Sequence, residues 1–304
     1  MRKMYFWVAT ICILTVFGFT GLSPKSAWAA PADQGKKAIL VVSFGTTYED
    51  TRKMTIEAVE SKIRTEFPDY EVRRAFSSHK IIKVLKERDG IDVDTPEQAL
   101  KRLKDDGYTT VAVQTLDVIP GVEYDYINRV VQKYKTEGAF KQIVMGRSLL
   151  YYMGQEDKPD DFKTVLHAFK TQLPASLKKD EAILVMAHGT PHPANAYYTV
   201  LQAKISQLGW KNVFVYTVEG TPMLEDVIPQ LKANRIKKVT LVPFMLVAGD
   251  HANNDMAGSD KESHKSQLME AGFKVETYLH GLGENTAIQD VYVNHLKEAM
   301  KTLQ

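Results

Sequence analysis

Cysteine is almost absent from this sequence. Cys12 is the only one in 304 residues, and it lies inside an apolar run near the start. Beyond that run there is no thiol for a disulfide, and thiolates are excluded as metal ligands. A charge excess of one sign is missing too. The 39 Lys and Arg face 37 Asp and Glu, which argues against a nucleic-acid binder, since that would carry a basic surplus. Lys and Arg are scattered, so no run marks a phosphate or membrane site. Gly45-Thr46-Thr47 lacks the Lys-Ser/Thr ending of a phosphate-binding loop. Long apolar stretches are confined to one place, about Tyr5 to Leu22.

That stretch has the form of an export signal. Arg2 and Lys3 precede it, and Ser23-Pro24-Lys25-Ser26 leads into Ala27-Trp28-Ala29. A charged segment, an apolar segment and an Ala-x-Ala site predict cleavage after Ala29 or Ala30 and a periplasmic mature chain. The alternative is an uncleaved membrane anchor; with cleavage, no stable anchor is left. The leader holds three of the bases and no acid, so the remainder is close to neutral. About 275 residues suffice for one large α/β domain or two smaller ones.

From Lys37 onward, apolar runs alternate with helical patterns. Ala38–Phe44, Glu71–Phe76, Thr110–Ile119 and Gln142–Gly146 read as strands. Tyr48 to Phe67 reads as one amphipathic helix, with Ile56, Val59 and Ile63 on a face. Pro96 to Lys104 reads as a helix capped by Thr95, and Ile127 to Tyr134 lies on another. This alternation predicts βαβ units and parallel sheets.

The second half repeats the first. Lys37-Ala-Ile-Leu-Val-Val-Ser-Phe-Gly-Thr resembles Glu181-Ala-Ile-Leu-Val-Met-Ala-His-Gly-Thr, and Glu97-Gln-Ala-Leu-Lys-Arg-Leu-Lys resembles Glu225-Asp-Val-Ile-Pro-Gln-Leu-Lys. Each of these helices leads into a strand, at Val111 and at Val239. Ala139-Phe-Lys resembles Gly272-Phe-Lys. The order of the four pairs implies duplication. The expected fold is α/β: two similar Rossmann-like halves, residues 30–157 and 158–304, whose parallel sheets face a central cleft. Interfaces of this kind commonly hold ligands.

Three strand ends in the second half carry metal-binding residue types. One strand ends at His188 and a second at Glu219. A third, the apolar run Leu241-Val-Pro-Phe-Met-Leu-Val, ends in Gly249, Asp250 and His251. In open α/β sheets chemistry sits past the carboxyl ends of strands. A carboxylate after a mostly apolar run is costly unless paired or bound. In the first half Phe44 occupies the position of His188, the strand before Glu219 corresponds to the one ending Ser77-Ser78-His79, and Gly121 corresponds to Gly249, so the donor set belongs to the second half only. Two imidazoles and a carboxylate suit Co(II), Fe(II), Ni(II) or Zn(II), and spacing does not choose among them. His79 is expected on the first-half wall, His192 in a surface turn and His280 beside the site. His167, His264 and His295 read as surface helix positions. Tyr197 and Tyr198 suit either the lining of a flat ligand or helix packing. Arg73, Arg74 and Arg147 are candidates for a basic cleft wall.

At these residues the chain resembles a known family. Ser43-Phe-Gly-Thr-Thr, His188-Gly-Thr-Pro, Glu219-Gly-Thr-Pro and Pro243-Phe-Met-Leu-Val-Ala-Gly-Asp-His-Ala-Asn-Asn-Asp-Met-Ala-Gly are similar to the CbiK-type sirohydrochlorin cobaltochelatases. These are class II chelatases of the anaerobic cobalamin pathway, related in fold to ferrochelatase. The resemblance implies insertion of Co(II), or Fe(II), into sirohydrochlorin with release of two protons, and no organic cofactor. It implies metal ligation by His188, Glu219 and His251. A histidine near neutral pKa can accept a pyrrole proton, so His188 is expected to be the base while Glu219 and His251 mainly hold the metal, with His188 and Glu219 catalytic. The first half is expected to supply the other wall of the cleft, with macrocycle contacts at Phe44, Gly45, Thr46, Ser78 and His79. The leader departs from cytoplasmic members and resembles exported variants. Export motivates a second expectation, a periplasmic haem or metal binding or delivery protein on the same fold. A homo-oligomer is compatible with either.

Overall fold

Strand and helix alternate from Lys36 to Met300 in the computed structural model, which describes residues 35–303. The expected leader, with Cys12 and the Ala29 site, lies outside the described residues. The first half runs β1 (Lys36–Ser43), α1 (Glu49–Met54), α2 (Ile56–Glu66), β2 (Glu71–Phe76), α3 (His79–Asp89), α4 (Pro96–Asp105), β3 (Tyr108–Thr115), α5 (Val122–Thr136) and β4 (Gln142–Gly146). The second runs α6 (Asp161–Phe169), β5 (Glu181–Ala187), α7 (Ala196–Gln207), β6 (Val213–Thr217), α8 (Leu224–Ala233), β7 (Lys238–Pro243), α9 (His264–Glu270), β8 (Lys274–Thr277) and α10 (Thr286–Met300).

Local chemistry explains many boundaries. Thr95 caps α4 in a reciprocal box with Gln98, behind Pro96 in the first turn. Ser78 caps α3, and Gly90 closes it in the left-handed conformation at φ 66°. Three expectations are corrected. The helix expected over Tyr48–Phe67 is broken at Thr55, whose hydroxyl donates back to the Thr51 carbonyl and whose backbone leaves helical geometry. The strand expected through Val247 stops at Pro243. From there the chain leaves the sheet, and the Met245 and Leu246 carbonyls accept from the Leu282 and Gly283 amides. The strand expected through Ile119 stops at Thr115.

The strands form two four-stranded parallel sheets, ordered β2-β1-β3-β4 and β6-β5-β7-β8. The same order twice is the architecture expected of a duplication. The match extends to single hydrogen bonds. Ser78 N donates to Phe44 O, as Glu219 N does to His188 O; Leu116 N donates to Val42 O, as Phe244 N does to Met186 O. Phe44 is therefore the structural counterpart of His188, and Gly121 that of Gly249.

Each sheet has one face with a core of its own. Leu40, Val113, Leu100 and Ile127 belong to the first, and Leu184, Tyr216, Val227 and Leu241 to the second. The other two faces share a single apolar core. It joins Ile39, Phe76 and Leu116 to Val185, Val242 and Phe244 through Phe162 and Phe169 of α6, Tyr198 of α7 and Tyr292 of α10. Residues 35–304 accordingly cluster as one compact unit. The C-terminal helix α10 crosses back to pack on β3, β4 and α2 of the first half. Arg147 pins this arrangement, binding Asp161 of α6 at 2.8 and 2.9 Å and Glu298 of α10 at 2.5 Å.

Candidate functional site

Two interlocked turns make the floor of the site. His188 follows the last residue of β5, and Gly189 turns the chain at φ 83°. A Cβ at Gly189 would lie 2.6 Å from the Gly220 amide nitrogen and 2.7 Å from the Glu219 carbonyl carbon. Only glycine permits this approach. Asn195 then staples the turns: its Oδ1 accepts from Thr190 N at 3.2 Å, and its Nδ2 donates to Thr221 O at 2.8 Å. The repeated His-Gly-Thr-Pro and Glu-Gly-Thr-Pro segments are thus two strand-end turns packed backbone to backbone.

His251 arrives by a different route. It is not at a strand end, as expected, but well past β7, just before a π-helical turn at Ala252–Met256. The winding of that turn brings Asp255 Oδ2 to 2.5 Å from His251 Nδ1. The rings of His188 and His251 meet at 87°, their centroids 4.7 Å apart. His188 Nδ1 lies 2.8 Å from the Gly189 carbonyl, and a carbonyl only accepts, so Nδ1 carries the hydrogen. In each ring the Nδ1 side is occupied and Nε2 is left for a ligand. The Glu219 amide donates to the His188 carbonyl at 2.8 Å, while its side chain is exposed. Among the described residues, no three His, Cys, Asp or Glu side chains are gathered closely enough to hold a metal ion. The structure brings two of the expected donors together and tethers the third by its backbone.

The expected macrocycle contacts divide into two kinds. Phe44 is exposed at the end of β1, and His79 is exposed at the start of α3. Gly45 is buried under the Phe76 ring at φ 92°. Ser78 is spent on capping α3, and Thr46 Oγ1 accepts from the Tyr48 amide. Three more large apolar or aromatic side chains are exposed on loops or helix starts at the carboxyl edges, Tyr48, Val122 and Met223. Sequence reading named Phe44 but not these three. The two edges also touch each other. Tyr48 hydroxyl donates to Asp250 at 3.2 Å, and His192 Nε2 lies 3.3 Å from Asp125. His192 is therefore not a free surface histidine but part of a contact between halves.

Other expectations are corrected by burial and pairing. His295 is buried, 3.3 Å from Asp161, and His264 is half-buried against the Tyr216 hydroxyl. The three arginines do not form a basic wall. Arg73 is held by Glu71 and Asp106, Arg74 by Glu60 and Glu57, and Arg147 by Asp161 and Glu298. Tyr198 is packed in the shared core, and Tyr197 donates to the Tyr151 carbonyl at 3.2 Å. Sequence reading also passed over Asp117, placing it inside a strand. It stands on the loop after β3, half-buried, with Thr115 Oγ1 donating to it at 2.6 Å. Burial pushes its carboxyl up to about 7.

Comparison with known proteins gives three findings. The model of the family described as "Cobalt chelatase (CbiK)" matches residues 37–301. The chain is 41% identical over 265 residues to the sirohydrochlorin cobaltochelatase of Salmonella typhimurium, covering 87% of this chain and 97% of that protein. It is 33% identical over 272 residues to the sirohydrochlorin cobaltochelatase CbiKC of Nitratidesulfovibrio vulgaris, covering 88% and 92%. Among solved structures, SirB from Bacillus subtilis with Fe3+ superposes with a TM-score of 0.59 at 15% identity, over 88% of this chain and 98% of that one. DR2241 from Deinococcus radiodurans gives 0.54 at 15% identity, over 87% and 56%. These two likenesses concern the fold alone.

Proposed function

The chain belongs to the CbiK family of cobalt chelatases, and from that premise we propose that it inserts Co(II) into sirohydrochlorin with release of two protons. It is an enzyme of the lyase class, and its substrates are the tetrapyrrole and the metal. The observation that carries the assignment of the site is the His188–His251 pair, with both Nδ1 atoms occupied and both Nε2 atoms free.

In this reading Co(II) binds as substrate to the two Nε2 atoms, and Glu219 turns its carboxylate in from solvent to complete the set. An incomplete cage suits a metal that must be handed on. Two imidazoles and one carboxylate leave coordination positions to which macrocycle nitrogens can bind before the protein ligands let go. The backbone tether at Glu219 keeps the carboxylate within reach of the site without closing it. Phe44, Tyr48, Val122 and Met223 support the macrocycle through apolar contact at the carboxyl edges.

We also propose that the protein is exported. The support is the charged segment, apolar run and Ala27-Trp28-Ala29 site at its start. Fractionation of expressing cells should find the chain, shortened at Ala29 or Ala30, in the periplasm; a full-length cytoplasmic chain would refute this.

The test of function is anaerobic incubation of purified protein with sirohydrochlorin and Co(II), followed through the macrocycle's absorption. Many turnovers above the uncatalysed rate are expected, and they should be lost in an His188→Ala/His251→Ala variant. A spectral change that stops at one equivalent would indicate a binding or delivery protein instead. Repeating the assay with Fe(II) measures metal preference.

A further inference from the structure

Co(II) bound through both histidines leaves neither of them free to take a proton. The His188 Nδ1 hydrogen points at the Gly189 carbonyl, and His251 Nδ1 faces Asp255. The remaining lone pair of each ring, on Nε2, goes to the metal. Insertion still has to remove two pyrrole protons, so the cleft needs another base. Glu219 is spent as the third ligand.

Asp117 has the placement for this role. It is the second residue past β3, at the carboxyl edge of the first sheet, a half-buried residue whose carboxylate is largely withdrawn from water. Thr115 Oγ1 donates to its Oδ2 at 2.6 Å and accepts from its amide at 3.1 Å, which fixes the carboxylate against its own strand end. The titratable groups that sense it are Glu123 and Tyr124 of α5, Tyr198 of α7 and Tyr292 of α10. None is a cation, and among the described residues no Lys, Arg or His pairs with it. Tyr198 lies between it and the metal side: its hydroxyl approaches the backbone of Gly189, next to His188. Packing does not require a carboxylate here. Leu149 N donates to Asp117 O as Leu282 N donates to Met245 O, so the counterpart in the other half is a methionine.

We propose that Asp117 is the proton acceptor of the insertion step. The proposal rests on the reading that His188 and His251 hold the metal. Each pyrrole N–H that breaks leaves its electron pair for a Co–N bond and its proton on an Asp117 carboxylate oxygen. Asp117 must give up the first proton, to water entering at the cleft edge, before it accepts the second. The balance is one Co(II) and one free macrocycle in, one cobalt macrocycle and two protons out. Burial, reinforced by Glu123 and opposed by the Thr115 hydrogen bond, sets this carboxyl at about 7. At neutral pH such a group both takes and returns protons readily.

The test compares full-length parent, Asp117→Asn and Asp117→Glu. Initial rates of Co(II) insertion above the uncatalysed rate are measured from pH 5.5 to 9, with Co(II) affinity measured separately by titration. The parent's kcat/KM should rise through about pH 7. Asp117→Asn should lose about a hundredfold or more in rate and lose that inflection, with Co(II) affinity unchanged. Asp117→Glu should keep the inflection. The proposal is overturned if Asp117→Asn keeps the inflection, whether its rate falls or not. The metal reading beneath it fails by a different result, an His188→Ala variant that binds Co(II) as tightly as the parent.

Discussion

Replacing Asp255 by Asn should weaken Co(II) binding without disturbing the fold. Asp255 Oδ2 lies 2.5 Å from His251 Nδ1, so its carboxylate accepts directly from the ring. The carboxylate does two things for the ring. It fixes the tautomer that leaves Nε2 as the ligand atom, and it makes that atom a better donor. Outer partners of this kind are worth about 10–100-fold in metal affinity. The Asp255 side chain is 45% exposed, and water screens much of its charge, so the low end applies. The expected loss is about tenfold, or about 1.4 kcal/mol. Competition against a coloured chelator at fixed pH measures it, with circular dichroism as the control for folding. Asp250→Asn is the matched comparison. It removes a neighbouring charge whose carboxylate bonds Tyr48 and Asn254 rather than a histidine, and it should leave Co(II) affinity within about twofold. Equal Co(II) affinity in Asp255→Asn and parent would refute the reasoning. His251 would then be held by something other than this pair, or would not bind the metal.

Other consequences are open to direct measurement. Gly189→Ala places a side chain at φ 83° against the Gly220 nitrogen. It should cost about 1–3 kcal/mol of stability and misplace His188; thermal melts and the insertion assay would both register it, and parent-like values would contradict the interlocked turns. Burial pushes the Asp161 carboxyl up, but His295, Arg147 and the Tyr152 amide outweigh it and hold it at about 2. Its value in the fold is below its unfolded value, so this stabilisation is complete above about pH 4 and is lost as pH falls toward 2. Asp161→Asn should cost about 3–5 kcal/mol near neutrality, and less at pH 3; urea melts that show the same loss at both would count against this. Removing the contacts between halves with Tyr48→Phe and His192→Ala should change stability by less than about 1 kcal/mol and act mainly on KM.

Where local chemistry decides, the sequence was readable. The β4 strand and the Thr95-capped helix fall at or near their expected limits, because an apolar run of strand length and a capping box are complete within a few residues. The duplication was readable too, since equal strand order follows from equal segments. The run after Leu241 misled because burial, not strand geometry, selects for apolar residues. Phe244 is as buried in its loop as Leu241 is in its strand, and Ala248 is buried too. Thr55 breaks a helix through its own hydroxyl, which periodicity does not register. His295 looked like a surface residue because its burial depends on Asp161, brought to it by the fold. The site was readable in its residue types but not in its geometry. That His188 and His251 meet ring to ring depends on a π-helical turn after a loop, and the exposed Glu219 carboxylate was not foreseen. Asp117 was missed because an isolated acid near a strand end has no distinguishing neighbours in sequence.

The return of α10 to the first half sets an order of events during synthesis. The face of β3 and β4 that meets Ile288, Tyr292 and Leu296 lacks that part of its cover until those residues exist. As the ribosome releases the chain from its N-terminus, the first sheet can be translated in full and still lack a side of its core. Its last packing partner is the final helix of the second half. Completion of the first half therefore waits on the last helix of the chain, and a chain truncated before Thr286 should expose apolar surface of the first half.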